Sequence, residues 1–166
     1  AMNADTARQL DLLRRSPTLP YPVDAERREQ LSKIAVGLAS TYGKGTYCSK
    51  TLHKWAPEGS KDDCLHLDEL SEVLQDPKAT WDEQLEAWTG WRTISPPMRA
   101  DYQKFVELGN EGAKDIGYAD VGAVWKSRYD MTADAMEADV ERLWQQVKPL
   151  YTALRCYAGK KLREKY

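Results

Sequence analysis

A chain of 166 residues with a formal net charge of −2 carries nothing that suggests a surface for nucleic acid or another polyanion, and no nucleic-acid partner is expected. Hydrophobic residues make up 42% and charged residues 30%, the balance of a globular domain with a real core. No run comes near the roughly 18 apolar residues of a membrane-spanning helix, and Ala1-Met2 reads as a cloning remnant rather than a targeting segment.

The chain opens with a short helix from Asn3 to Arg15, carrying Leu10 and Leu13 behind capping residues Asn3 and Asp5. Pro17, Pro20 and Pro22 force an extended linker after it. Asp24 is positioned to cap a second helix, in which Leu31, Ile34, Ala35, Leu38 and Tyr42 recur at helical spacing before Gly43 and Gly45 end it. Residues 46–67 read as a loop, polar and charged around Lys61-Asp62-Asp63. A short helix from Asp68 to Gln75 stops at Asp76-Pro77. Thr80 then caps a helix whose Trp81, Leu85, Trp88 and Trp91 form one broad face for a deep core, leaving Asp82, Glu83 and Glu86 to solvent. Ser95-Pro96-Pro97 restarts the chain, with Ser95 as cap, into a helix from Pro96 to Asp115 that Gly117 stops. Asp120 to Arg128 is a short helix. Thr132 caps the longest one, with apolar Met136, Val140, Leu143, Trp144, Val147, Leu150, Tyr151, Leu154, Tyr157 and Leu162 in a 3.6-residue pattern and a kink expected near Gln145–Gln146 from Pro149. No stretch alternates as a strand does. The expected fold is all-α: a bundle-like array of about six or seven helices in one domain or subdomain, with one closed loop.

The chemistry is sparse. Cys48 and Cys64 flank the polar loop. They fit a disulfide, a pair of free thiols, or a zinc site with His53 and His66, although that spacing matches no known finger. Cys156 sits on the long helix as a small packing residue. The chain has no His-Glu-x-x-His, no Gly-x-Ser-x-Gly, and at Gly43-Lys44-Gly45 no phosphate loop. No metal site and no catalytic residue is therefore assigned. Arg92 and Lys126 each follow a tryptophan, where a cation can stack on indole, bind an anion, or simply cover aromatic surface with its stem.

Tyr-Gly-Lys-Gly-Thr-Tyr-Cys (42–48), Cys-Leu-His-Leu-Asp (64–68), Trp-Thr-Gly-Trp-Arg (88–92), Ile-Ser-Pro-Pro-Met-Arg (94–99), Phe-Val-Glu-Leu-Gly-Asn-Glu-Gly-Ala-Lys (105–114), Gly-Tyr-Ala-Asp-Val-Gly-Ala-Val-Trp-Lys-Ser-Arg-Tyr (117–129) and Leu-Trp-Gln-Gln-Val-Lys-Pro-Leu-Tyr (143–151) run collinearly along nearly the whole chain. In these motifs the sequence resembles the angiotensin-converting enzyme (peptidyl-dipeptidase A) family of zinc metallopeptidases, and looks most like its bacterial members. The resemblance covers about a quarter of such an enzyme, an internal piece between the lid helices and the zinc-bearing core. It implies that Cys48 and Cys64 form the family's first disulfide, that Asp68 lines the substrate cleft, and that Arg92 and Tyr129 belong to two chloride sites completed elsewhere. It also implies zinc and chloride as cofactors of the full enzyme, a peptide substrate, the remaining peptidase core as partner, and a periplasmic or extracellular location. The sequence departs from the family pattern at Ala39, where a cleft glutamate is usual, at Lys126, where arginine is usual, and at 155–159, where His-x-Tyr-Val-Arg is usual. The chain alone is expected to be catalytically inactive. The alternative reading is a non-catalytic helical interaction module, able to self-associate through the face a core would cover.

Overall fold

The computed structural model describes residues 3–16, 18–58 and 64–165, so Ala1-Met2, Pro17 and the Lys61-Asp62-Asp63 cluster lie outside the described residues. Among them are seven α-helices: α1 (Ala4–Arg14), α2 (Ala25–Gly43), α3 (Leu67–Gln75), α4 (Trp81–Trp91), α5 (Arg99–Asp115), α6 (Val121–Lys126) and α7 (Ala133–Lys165). Short 3-10 turns lie at His53–Trp55 and Pro96–Met98. β1 (Tyr47–Cys48) and β2 (Cys64–Leu65) make a small antiparallel ladder, with Cys48 opposite Cys64 and the two joined as a disulfide. The fold is all-α, with a long C-terminal helix and one disulfide-closed loop.

Helix boundaries follow from local chemistry. The Asn3 carboxamide oxygen accepts from the Thr6 N–H at 2.7 Å and starts α1. Thr80 and Glu83 form a reciprocal capping box that starts α4, with the Thr80 N–H donating to the Glu83 carboxylate at 2.8 Å. Asp120 caps α6 through the Ala123 N–H, and Thr132 caps α7 through the Ala135 N–H. Gly117, at φ +89°, ends α5: its own N–H reaches the Lys114 carbonyl and the Tyr118 N–H reaches the Ala113 carbonyl, a Schellman pair. Two starts differ from expectation. α3 begins at Leu67, one residue early, because the His66 N–H donates to the Glu69 carboxylate at 2.8 Å. The helix expected from Pro96 is a 3-10 turn followed by α5 from Arg99, and Ser95 makes no side-chain cap bond. The two prolines supply no N–H donors, so the first turn closes through the Met98 N–H to the Ser95 carbonyl and the Arg99 N–H to the Pro96 carbonyl.

The chain falls into two compact units, Ala25–Glu107 and Ala1–Asp24 with Leu108–Tyr166. In the first, α3 and α4 pack together over a core of Leu52, Leu65, Leu70, Val73, Ala79 and Ala87, with Tyr47, Trp55 and Trp91 at its margin. The Trp91 ring meets Tyr42 edge-on at 5.3 Å between centroids. The face that α4 buries is not the expected one. Ala87 and Gly90 are buried and Trp91 is half-buried, whereas Trp81, Leu85 and Trp88 are exposed. Small residues win the core side because they admit close neighbours: a Cβ on Gly90 would fall 2.5 Å from Cε1 of Tyr47.

In the second unit the extended stretch after α1 lies across α5. Pro20 and Pro22 are buried, as are Leu108, Gly109, Gly112 and Ala113 of α5. The crossing is close enough that a Cβ on Gly112 would fall 2.4 Å from the Pro20 carbonyl oxygen. The Trp125 indole N–H donates to the Thr18 carbonyl at 2.6 Å, and the Arg128 guanidinium donates to the Ser16 carbonyl at 2.6 Å. α7 runs through Pro149, which cannot donate to the carbonyl of Gln145. Contrary to its amphipathic pattern, α7 has no buried residue.

Gly112→Ala tests the crossing. In an unconstrained helix this change stabilises by up to about 1 kcal/mol. Here the methyl meets backbone, and the expected outcome is the opposite sign, a loss of about 1–3 kcal/mol in denaturant unfolding.

Candidate functional site

The densest polar cluster sits where α4 meets the disulfide-closed loop. Its centre is Glu86, expected to be solvated. One carboxylate oxygen accepts from the Ser49 hydroxyl at 2.5 Å and from the Tyr47 hydroxyl at 3.3 Å, and the other accepts from the Thr51 hydroxyl. Ser49 is 6% exposed, and its oxygen also accepts from the backbone N–H groups of Thr51 and Leu52, both at 3.2 Å. The hydroxyls of Ser49 and Thr51, outweighing desolvation, hold the Glu86 carboxyl below the usual glutamate range. Burial first, and the neighbouring Glu86 charge second, push the Tyr47 phenol up. Beside this cluster Lys54 pairs with Glu83 at 2.8 Å and lies 4.0 Å from the centre of the Trp55 ring.

This arrangement is a clamp and not a catalytic base. A carboxylate that is easily ionised and already accepts hydrogen bonds from three hydroxyls is poorly suited to take a proton from a substrate. Nor does its partner Ser49 have the strong base that a nucleophilic hydroxyl needs. By charge alone Glu86 belongs to the solvated face of α4, so the sequence does not display the cluster. The signal that locates it is Ala87 and Gly90, one and four residues on, which mark the side of α4 that takes a close neighbour.

The expected site residues all lie on exposed surface. Asp68 is exposed on the first turn of α3. Arg92 is exposed just past α4; its guanidinium lies 3.2 Å from the centre of the Trp88 ring and donates to the Trp88 carbonyl at 2.5 Å. The stacking partner is thus the tryptophan one turn back, not the adjacent Trp91. Asp68 and Arg92 belong to the Ala25–Glu107 unit and Tyr129, half exposed, to the other. Lys126 forms an ion pair with Glu137, whose hydrogen bond is the first cause of its raised pKa. Exposed Glu29 and Lys33 pair at 2.6 Å along an open hollow of α2 that Asp101 and Lys104 also line.

The zinc alternative fails on its donors. Cys48 and Cys64 are bonded to each other, leaving no thiolate for a metal. His66 points its Nδ1 at the Gly45 carbonyl, 3.2 Å away, and His53 points its Nδ1 at the Lys50 carbonyl. Among the described residues no group of three or more His, Cys, Asp or Glu side chains is arranged to hold a metal ion.

A family model described as angiotensin-converting enzyme matches residues 1–166. The chain is 33% identical over 149 residues to angiotensin-converting enzyme of Bos taurus, an alignment covering 89% of this chain and 11% of that protein. It is 34% identical over 141 residues to angiotensin-converting enzyme of Theromyzon tessulatum, covering 83% of this chain and 21% of that protein. It is 29% identical over 170 residues to angiotensin-converting enzyme-like protein Ace3 of Mus musculus, covering 99% of this chain and 21% of that protein. The chain therefore spans about a tenth to a fifth of the length of these relatives.

The Glu86 clamp has a defined pH signature. Because the folded pKa is depressed, its contribution is complete above the ordinary glutamate value of about 4.3 and is lost as pH falls through the lower folded value. Glu86→Gln is expected to flatten the acid limb of a stability-against-pH curve measured by urea unfolding. Glu86→Ala removes the acceptor shared by the Tyr47, Ser49 and Thr51 hydroxyls and is expected to cost about 1–3 kcal/mol at neutral pH.

Proposed function

The chain belongs to the angiotensin-converting enzyme family, and from that premise we propose that it is a helical region of a zinc peptidyl-dipeptidase, a region that supports the substrate cleft and performs no chemistry by itself. The observation that carries this reading is the family match across residues 1–166 of a sequence with no His-Glu-x-x-His, in which both loop cysteines are in a disulfide and the described residues hold no group arranged for a metal ion.

The roles that the resemblance suggests for Asp68, Arg92 and Tyr129 are part of the same proposal. Asp68 is exposed at the start of α3, as a residue facing a peptide in a cleft must be. Arg92 carries a fixed positive charge on an aromatic face, which suits an anion such as chloride once further donors are supplied. Tyr129 is half exposed and its hydroxyl is open to the same use. The natural partner is the remainder of a peptidase, and residues 1–166 act as one domain or subdomain of it. The Cys48–Cys64 disulfide supports an oxidising setting, periplasmic or extracellular.

The test is incubation of the purified chain with zinc and a substrate that releases a C-terminal dipeptide. The expected result is no turnover above the zinc-only control. Turnover that a chelator abolishes would contradict the proposal.

A further inference from the structure

The disulfide-closed loop runs along α4 one turn at a time. Tyr47 lies against Gly90, Ser49 and Thr51 donate to Glu86, and Lys54 pairs with Glu83. Gly90, Glu86 and Glu83 are spaced four and three residues apart, so they share one face of the helix. Beneath these contacts Leu52 is fully buried in the core, and Trp55 lies at its margin. The base of the loop is held differently. Cys48 is bonded to Cys64, and Tyr47 pairs with Leu65 in the two-stranded ladder. The loop thus has a covalent base and, beyond it, a stretch held to α4 by two carboxylates.

Both carboxylates lose their hold on the loop in acid. A protonated carboxyl no longer pairs with Lys54, and it is a weaker acceptor for hydroxyls. The Ser49 and Thr51 hydroxyls hold Glu86 below the ordinary glutamate range, and the Lys54 hydrogen bond, ahead of the Thr80 N–H, does the same for Glu83. The titratable groups that face this pair are Tyr47 and Lys54 from the loop; along α4 the Glu83 charge acts on Glu86 in the opposite sense. On α3, Glu69 is engaged by the His66 N–H, and the rings of His53 and His66 are turned to the Lys50 and Gly45 carbonyls. Since contact with the loop lowers both carboxyl pKa values, a lifted loop binds protons more readily than a seated one. The hold is complete above the ordinary glutamate value of about 4.3 and weakens as pH falls through the lower seated values. The disulfide does not titrate, so the base stays closed.

We propose that residues 49–56 form an acid-sensitive flap, hinged at the Cys48–Cys64 pair and latched to α4 by Glu86 and Glu83. When the latch is lost the flap lifts Leu52 from the core, while the ladder at its base holds. The hinge keeps the flap beside its seat, so the opening reverses on neutralisation. The device does not depend on the proposed peptidase role.

The experiment is hydrogen exchange resolved to single residues on the intact chain, from about pH 7 to about pH 3, expressed as protection so that the intrinsic pH dependence of exchange drops out. The Thr51 and Leu52 N–H groups donate to the Ser49 oxygen, whose own hydroxyl is bound by Glu86, so these two amides read the latch. Their protection is expected to be level near neutral pH and to fall about tenfold or more as the carboxylates are protonated. Leu65 in the ladder and Leu70 on α3 are expected to keep theirs. Glu86→Gln is expected to lower the neutral-pH protection of Thr51 and Leu52 and to remove most of its pH dependence. Lys54→Met is expected to remove only the share that Glu83 supplies. Thr51→Val leaves Glu86 in place, and the acid loss at Leu52 is expected to shrink. A flat pH profile overturns the proposal, as does an acid loss that persists in Glu86→Gln or one abolished by His53→Gln or His66→Gln. Loss of protection at Leu65 or Leu70 in step with Thr51 overturns the hinge, since the whole unit would then be opening.

Discussion

The close approach of Tyr47 to Gly90 fixes how the Ala25–Glu107 unit is built. Only a residue without a Cβ leaves room for that ring on α4. Once the ring is there, Glu86 one turn earlier lies over the loop and collects the hydroxyls of Tyr47, Ser49 and Thr51. The disulfide then joins Cys48, next to Tyr47, to Cys64, next to buried Leu65. Sterics at one position, a carboxylate at another and a covalent bond at a third all hold the same loop against the same helix face. Closing a loop of this size is worth about 3 kcal/mol in the chain-entropy model. This combination lets a unit with few buried large side chains hold a defined loop.

Helix content and most boundaries were legible in the sequence because caps and breakers act locally. Thr80, Asp120, Thr132 and Gly117 each do what their residue type does at a helix end. Facing was not legible for α4. Its tryptophan stripe is the stronger pattern, yet the helix packs through Ala87 and Gly90. Apolar area says which side of a helix gains by burial, but not which side has room for the neighbour that the chain supplies. The Pro96 start failed for a different reason: an N-terminal proline favours a first turn without requiring it to be α-helical.

The residues of the clamp were each visible and their assembly was not, because Ser49, Thr51 and Glu86 are 35 or more residues apart in two of the three pairings and meet only once α4 is placed. The resemblance-based residues follow the reverse logic. Asp68, Arg92 and Tyr129 are legible from motifs, and each lies on an exposed surface. The same holds for the large apolar side chains of α4 and α7. A helical region that leaves Trp88, Leu150 and Leu154 in water presents apolar surface that other protein can cover.

The account rests on the orientation of α4, and side-chain footprinting by hydroxyl radicals with mass-spectrometric readout tests it most directly. Leu85 and Trp88 should be modified at the rates of open side chains, while Leu52 and Leu70 on the core side stay protected in the same sample. Protection of Leu85 and Trp88 equal to that of Leu52 would mean that the tryptophan stripe is the buried face, and would contradict the packing described.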